Sequence, residues 1–245
     1  MTDSQQHNRE IAANLEAWNA KPLLRDIYAG FYERIQAQMD HSITGGILEI
    51  GSGIGNLKAH VPDSIASDLF PNPWLDLACD AYQLPYKNSS LSHVILFDVF
   101  HHLRKPLAFL DEAHRVLVGQ GRLILFEPYI SAISSIAYGP MHHEPIAWRA
   151  KIDSGRVADK SDTYYAAQGN ATRIFFKNAL HGWSDGWIPK TKEVFADLSY
   201  LLSGGFSKPA MFPHAWLGRM RNVDGILSRF PTLFGSRCLV CLEKS

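Results

Sequence analysis

The stretch from Ile47 to Leu57 reads ILEIGSGIGNL, a short apolar run followed by glycines at alternate positions, Gly51, Gly53 and Gly55. A strand that ends in a glycine turn and opens a helix presents backbone N–H groups to a ligand. Dinucleotide sites use G-x-G-x-x-G, in which the third glycine lets the helix pack closely on the strand. Here Asn56 stands at the position of that third glycine, which disfavours a dinucleotide site without eliminating it.

Four acidic residues stand at or near the ends of four successive apolar runs: Glu49, Asp68, Asp80 and Asp98. In a parallel sheet these ends meet at one edge, where such sheets bind ligands. Glu49 is suited to meet a ligand ammonium or to order the loop. Asp68 is suited to accept from two ribose hydroxyls, and Asp80 from an exocyclic amine. A single acid at a strand end is more often a turn former or a helix cap, but four behind one glycine turn favour a binding site.

Short apolar runs between Gly46 and Pro128 predict the strands that position these acids: GILEIG, SIASDL, LDLACDA, SHVILFDVF and RLILFEP. Their near-continuous hydrophobicity is typical of strands buried on both faces of a parallel sheet, so the fold class is α/β. KPLAFLDEAHRVLVGQG predicts a helix between the last two, with Gly119 at its C-terminal cap. Apolar stripes on either side of Pro22 predict two helices ahead of the sheet, which we expect to pack on its core.

The rest of the chain predicts a single domain, 1–245, with four parts. Residues 1–42 hold the N-terminal helices and 43–128 the cofactor-binding half. The aromatic-rich segment 129–204 predicts a helical insertion that closes over a substrate, although most of its aromatic side chains are expected to form a small core. Residues 205–245 predict two final strands, in PAMFPHAW and LFGSRCLVCLEKS.

Two connections in the cofactor-binding half are short. About ten residues, NLKAHVPDSI, separate the glycine turn from the second strand, and Pro62 limits any helix there. The next link, LFPNPWL, holds two prolines and predicts no helix. One face of the sheet is therefore expected to be thinly covered, which predicts weak cofactor binding or a second subunit, such as a homodimer partner.

Taken together, LEIGSGIGN, the acid of SDL, CDAYQLPY and VILFDVFHHL resemble the class I S-adenosylmethionine-dependent methyltransferases, in particular the subgroup that methylates small molecules. The resemblance covers Gly46 to about Pro128. It implies a Rossmann-like, seven-stranded, mostly parallel sheet with an antiparallel last strand, and S-adenosyl-L-methionine as cofactor. It also implies the cofactor-binding residues, namely Glu49, Gly51, Ser52, Gly53, Gly55, Asp68, Leu69, Asp80, Ala81, Phe97, Asp98 and Val99.

The resemblance also implies roles for these residues. The glycines would let the backbone approach the methionyl and ribose groups, with the methionyl carboxylate near a helix N-terminus. Asp68 would hold the ribose hydroxyls, Asp80 and Ala81 would contact the adenine, and Phe97 to Val99 would line the methionyl side.

Methyl transfer to an oxygen or nitrogen nucleophile needs alignment above all, and a hydroxyl acceptor also profits from a general base. Two histidine clusters offer one. His101 and His102 follow the fourth strand, and PMHHEP supplies His142, His143 and Glu144. The predicted catalytic residues are His101 and His143. Adjacent histidines on one loop rarely reach the same ion, so no metal site is predicted.

Composition limits the remaining classes. The chain has 24 basic and 24 acidic residues, which argues against a nucleic-acid partner. No apolar run reaches the length of a membrane span, and the polar N-terminus predicts a cytoplasmic protein with no membrane partner. Three cysteines fit that compartment, and Cys238 and Cys241 lie in a run typical of a buried strand. The sequence predicts a methyltransferase with a small-molecule acceptor, and leaves open an NAD(P)-dependent oxidoreductase or a non-catalytic S-adenosylmethionine-binding module.

Overall fold

A computed structural model describes residues 3–139, 145–157 and 165–245, with side chains from His7 onward. Seven α-helices occur in the described residues: α1 (Asp3–Ala20), α2 (Pro22–Gln36), α3 (Pro106–Val116), α4 (Ser134–Tyr138), α5 (Leu198–Ser203), α6 (Leu217–Leu227) and α7 (Pro231–Phe234). The strands are β1 (Gly46–Ile50), β2 (Ser64–Asp68), β3 (Leu77–Ala78), β4 (Leu91–Phe97), β5 (Leu117–Pro128), β6 (Trp187–Phe195) and β7 (Arg237–Lys244).

The strands form one seven-stranded sheet in the order β3-β2-β1-β4-β5-β7-β6. Strands β1 to β5 pair in parallel, whereas β7 runs antiparallel to both β5 and β6. The predicted fold class, a mostly parallel sheet with an antiparallel last strand, is confirmed. Chain order reverses between β1 and β4, so the crevice at their carboxyl ends lies at the topological switch point where open α/β sheets bind ligands.

Apolar side chains cover both faces of the sheet. On one face α2 packs with residues of α5 and α6 over Ile95, Ile124 and Leu239. On the other face α3 packs with the π-helical turn Thr172–Phe176. Cys238 belongs to the second core and Cys241 to the first, because a spacing of three along a strand places side chains on opposite faces. Both cysteines are buried thiols.

Three sequence-based boundaries were wrong. The sixth strand is Trp187–Phe195, inside the segment 129–204 that was assigned to the insertion, whereas PAMFPHAW forms no strand. Strand β6 pairs with β7 along the whole length of β7. Because the two strands are far apart in the sequence, the local sequence pattern does not indicate this pairing. Helix α3 ends at Val116, three residues before Gly119, because the chain enters β5 at Leu117 with extended backbone.

The β2–β3 edge of the sheet is thinly covered, as its short connections indicated. The glycine turn leads only into one 3₁₀ turn, Asn56–Ala59, and no helix lies between β2 and β3. Leu69 and Trp74 are left exposed on this edge. No helix in the described part of the chain is long and apolar enough to cross a membrane.

Candidate cofactor and acceptor site

The glycine turn after β1 has a backbone that other residues rarely adopt. Gly51, Gly53 and Gly55 have φ angles of 70°, 53° and 72°, in the left-handed region. A Cβ on Gly51 would also lie 2.2 Å from Cγ2 of Val99. The turn therefore excludes side chains through its own geometry and its contact with the end of β4, and this brings its backbone N–H groups to the crevice. The helix N-terminus expected behind it is a single 3₁₀ turn, too short for a helix dipole to act there.

Asp68 holds the glycine turn against the end of β2. Its Oδ2 accepts from the Gly53 N–H at 3.1 Å and its Oδ1 from the Leu69 N–H at 2.7 Å. Ser52 reinforces this link, because its Oγ accepts from the Ser67 N–H at 2.9 Å. Asp68 thus lies beside the turn at the edge where the sequence predicted a ribose-binding acid.

Glu49 is a buried carboxyl beside this turn, with only 4% of its surface exposed. Its Oε2 has no hydrogen-bond partner among the described residues. Burial, with a smaller contribution from the nearby charge of Asp68 and against a hydrogen bond with Ser52, raises the pKa of Glu49 to about 8. A buried acceptor without a partner is costly unless a ligand satisfies it. An ammonium group fits this position, so the residues present suit an amino-acid moiety such as that of S-adenosyl-L-methionine.

Asp98, at the end of β4, is held by a buried arginine. Its φ is 55°, and its carboxylate forms an ion pair with the Arg237 guanidinium. Arg237 is 1% exposed and lies 4.6 Å from the Tyr200 ring centroid. Burial raises the pKa of Asp98, an effect that Arg237 opposes. The carboxylate is therefore held in a fixed orientation at the end of β4, with about a quarter of its side chain exposed.

Glu127, at the end of β5, organises the turn that follows Asp98. Its Oε1 accepts from the N–H groups of Val99 and Phe100, at 2.9 and 2.6 Å. Its Oε2 lies 2.7 Å from Nδ1 of His101. Glu127 is fully buried and His101 is 2% exposed, so this pair lies beneath the crevice and fixes its floor. His102 points the other way, with Nδ1 2.9 Å from the carbonyl oxygen of Tyr165.

The other predicted residues lie along the same edge. Phe97 is half-buried and stacks on Phe126 with ring centroids 4.8 Å apart. Asp80 is exposed and accepts from the Tyr82 N–H at 2.9 Å, next to the buried Ala81. The structure thus brings the predicted cofactor-binding residues to the carboxyl ends of β1 to β4. His143 lies outside the described residues.

Helix α1 packs directly on the predicted cofactor site. His7 Nε2 lies 3.6 Å from Asp68 Oδ1, and this contact raises the pKa of His7. Ile11 is buried, and its Cδ1 would lie 3.5 Å from a Cβ on Gly53. The sequence predicted only that this helix packs on the core, whereas the structure places it over the glycine turn and Asp68.

Sequence reasoning missed Glu127, Arg237 and the position of α1. The sequence did contain a signal for Glu127. This residue stands near the end of the fifth strand, as the four predicted acids stand at or near the ends of the first four strands. Arg237 opens an otherwise apolar strand, but only the sheet order brings it beside Asp98. The aromatic residues of the insertion mostly join the main core, as Phe175 and Trp183 do at 5.2 Å.

Comparisons with known proteins agree with this geometry. Residues 48–125 match the model of a family described as a methyltransferase domain. The chain shares its fold with an S-adenosylmethionine-dependent methyltransferase from Thermotoga maritima (TM-score 0.58, 15% identity, 98% of this chain and 99% of that one). It also shares it with one from Archaeoglobus fulgidus (TM-score 0.53, 14% identity, 90% and 94%). The [4+2]-cyclase SpnF has this fold too (TM-score 0.50, 11% identity, 87% and 80%). No curated protein matches the chain by sequence.

The family match spans β1 to most of β5, about a third of the chain, and this part carries the glycine turn and the strand-end acids. The methyltransferase domain there and the fold of the whole chain support the predicted class I S-adenosylmethionine-dependent methyltransferase with S-adenosyl-L-methionine as its cofactor. The fold alone does not fix the reaction, because a cyclase shares it.

Proposed function

We propose that this class I S-adenosylmethionine-dependent methyltransferase transfers a methyl group to an oxygen or nitrogen nucleophile of a small-molecule acceptor. The observation that carries the proposal is the buried, unpartnered Oε2 of Glu49 beside a glycine turn that Asp68 holds in place. Such a carboxyl suits a cationic group of a ligand that lies along the turn.

In this proposal the residues in and beside the glycine turn bind different parts of the cofactor. Glu49 binds the ammonium of the cofactor, Asp68 binds its ribose hydroxyls, and the backbone of Gly51 and Gly53 lies against it. When bound, S-adenosyl-L-methionine supplies a methyl group that its sulfonium makes electrophilic. The chain then has to align the acceptor and exclude water, which provides much of the rate enhancement in such reactions.

The acceptor is proposed to bind above the ends of β4 and β5, where the insertion closes the crevice. The Ala167 N–H donates to the His101 carbonyl at 3.1 Å, and His102 bonds to the backbone of Tyr165. Asp98, at the end of β4 with about a quarter of its side chain exposed, is proposed to accept the proton of an acceptor O–H or N–H group. His101 is proposed to support Asp98 from beneath the crevice, because His101 is buried against Glu127.

The first experiment is calorimetric titration of Asp68→Asn with S-adenosyl-L-methionine, and separately with NAD. Losing charged hydrogen bonds to the ribose should weaken S-adenosyl-L-methionine binding on the order of tenfold or more. The matched control is Asp63→Asn, a change of the same kind at an exposed position before β2, which should bind as the wild type does.

Equal affinity of the two variants would refute the assignment of Asp68. Binding of NAD alone would instead favour an oxidoreductase, and binding of S-adenosyl-L-methionine without methyl transfer to any O- or N-nucleophile in an acceptor screen would favour the non-catalytic module.

A further inference from the structure

An exposed apolar surface surrounds helix α6, far along the chain from the cofactor residues. Five large side chains between residues 216 and 233 are more than a third exposed: Trp216 (50%), Val223 (38%), Ile226 (58%), Phe230 (58%) and Leu233 (45%). We call these residues, together with Ile133 and Ile136, the α6 surface. Contiguous exposed apolar patches of this kind on soluble proteins mark interaction sites.

The α6 surface is a second apolar face of a helix whose first face is already used. Leu217 and Met220 point to the core with α2 and α5. Val223 and Ile226 follow at a spacing of three residues within the helix, and Phe230 lies three residues beyond its end; all three side chains are more than a third exposed. The core therefore does not require these three residues to be apolar.

The segment after β5 extends this surface. The Ile133 N–H donates to the Leu233 carbonyl at 3.0 Å, and the Ala132 N–H to the Thr232 carbonyl at 3.3 Å. These bonds hold Ile133 (42% exposed) beside Leu233, and Ile136 (61% exposed) follows it, with its N–H donating to the Ile133 carbonyl at 3.0 Å. Two segments a hundred residues apart thus present one apolar surface, held by backbone bonds.

The charges around the α6 surface are of one sign. Arg219, Arg221 and Arg229 are exposed on or next to α6, and the Arg219 guanidinium lies 5.8 Å from the Trp216 ring centroid. Asp224 is the single acidic residue between Gly204 and Ser236, and it is buried. The exposed carboxylate of Asp26, on α2, pairs with His214 at 2.7 Å.

We propose that the α6 surface docks on an anionic phospholipid bilayer. Exposed Trp, Phe and Ile side chains beside arginines are the composition of a helix that lies in the membrane interface, where the apolar groups enter the acyl boundary and the arginines meet phosphate. A second copy of the chain fits less well, because a two-fold contact would bring like arginines together and the exposed acid beside them, Asp26, already pairs with His214. Peripheral docking requires neither a net positive charge of the whole chain nor a spanning helix.

The test is co-sedimentation of the full chain with vesicles of phosphatidylcholine alone and of phosphatidylcholine with phosphatidylglycerol. We expect binding to the anionic vesicles that weakens with added salt, and little binding to the neutral ones. Ile226→Ser with Phe230→Ser should abolish binding to both. Arg219→Gln with Arg229→Gln should weaken binding to the anionic vesicles about fivefold per arginine and leave the weak neutral binding unchanged.

Matched controls make changes of the same kind elsewhere. Val157→Ser alters an aliphatic side chain that is 80% exposed, and Lys87→Gln removes an exposed charge, so both should sediment as the wild type does. Thermal unfolding and S-adenosyl-L-methionine affinity of each variant show that the fold and the cofactor site are intact.

Equal sedimentation of the wild type with both vesicles, or wild-type binding by the Ile226/Phe230 variant, would overturn the proposal. A concentration-dependent dimer that this variant abolishes would assign the surface to a second copy instead. The proposal is independent of methyl transfer, since no outcome depends on turnover.

Discussion

Glu49 and Asp98 are two acids of the crevice in which the energetic cost of burying a carboxylate is offset in different ways. Asp98 has a permanent partner in Arg237, and this ion pair fixes its orientation. Glu49 has an oxygen without a partner among the described residues and avoids the cost by a raised pKa. A carboxyl that is kept neutral until a cationic ligand arrives is a binding group rather than a structural one.

This difference predicts proton release when the cofactor binds. With a pKa of about 8, Glu49 is about 0.9 protonated at pH 7, and the ligand ammonium should displace that proton. Affinity for S-adenosyl-L-methionine should therefore rise about tenfold per pH unit up to pH 8 and then level off. Calorimetry in buffers of different ionisation enthalpy measures the released proton directly. Glu49→Gln should bind more weakly and release none, and a buffer-independent heat for the wild type would contradict this role.

At the scale of elements, the turn after β1 and the turn after β4 depend on each other. Gly51 contacts Val99, and Glu127 holds the N–H groups of Val99 and Phe100. The crevice is thus built where three strand ends meet, and α1 lies across it through His7 and Ile11. The shape of the site depends on contacts between elements that are far apart along the chain.

Gly51→Ala tests this dependence. The alanine would have to adopt a left-handed backbone conformation, and its Cβ would overlap Val99. We therefore expect the free energy of unfolding, measured with denaturant, to fall by about 2–4 kcal/mol and cofactor binding to be lost. The control is Gly119→Ala, whose Cβ meets no atom within 4 Å and should change stability by less than about 0.5 kcal/mol. Val99→Ala in the Gly51→Ala background should recover part of the loss. No recovery would attribute the effect to backbone strain alone.

At the scale of the whole molecule, buried ionisable groups make stability depend on pH. Burial raises the pKa of Glu49 to about 8 and that of Asp197 to about 6. These acids stay protonated in the folded state where they ionise in the unfolded state, so stability falls as pH rises from about 4.5 to 8. Burial lowers the pKa of His93 to about 4, so its contribution is lost as pH falls from 6.5 to 4.

Unfolding free energy should therefore fall between about pH 4.5 and pH 8, by about 1.4 kcal/mol per pH unit from Glu49 alone, because His93 offsets only one of the two acids below pH 6.5. Chemical denaturation of the ligand-free protein between pH 5 and pH 9 measures this curve. Glu49→Gln should remove the fall between pH 6.5 and pH 8. An alkaline slope equal to that of the wild type would show that Glu49 is ionised in the folded protein.

The sequence by itself determined the sheet half of the molecule. Continuous apolar runs and an alternating glycine turn are local signals, so the strands near Glu49, Asp68 and Asp98 followed from them, and the cofactor class followed from the family that these motifs together resemble. The predicted turn and acids do lie at one edge, because parallel strands place their carboxyl ends together.

Only the tertiary structure decided which distant residues complete that edge. Strand β6 was hidden because its pairing with β7 is long-range and its exposed face is polar. Arg237 reaches Asp98 because β7 runs antiparallel beside β5, and α1 reaches Asp68 through packing rather than through any motif. Local patterns record how a segment folds, whereas ion pairs and covering helices depend on contacts between segments, which the sheet order brings together.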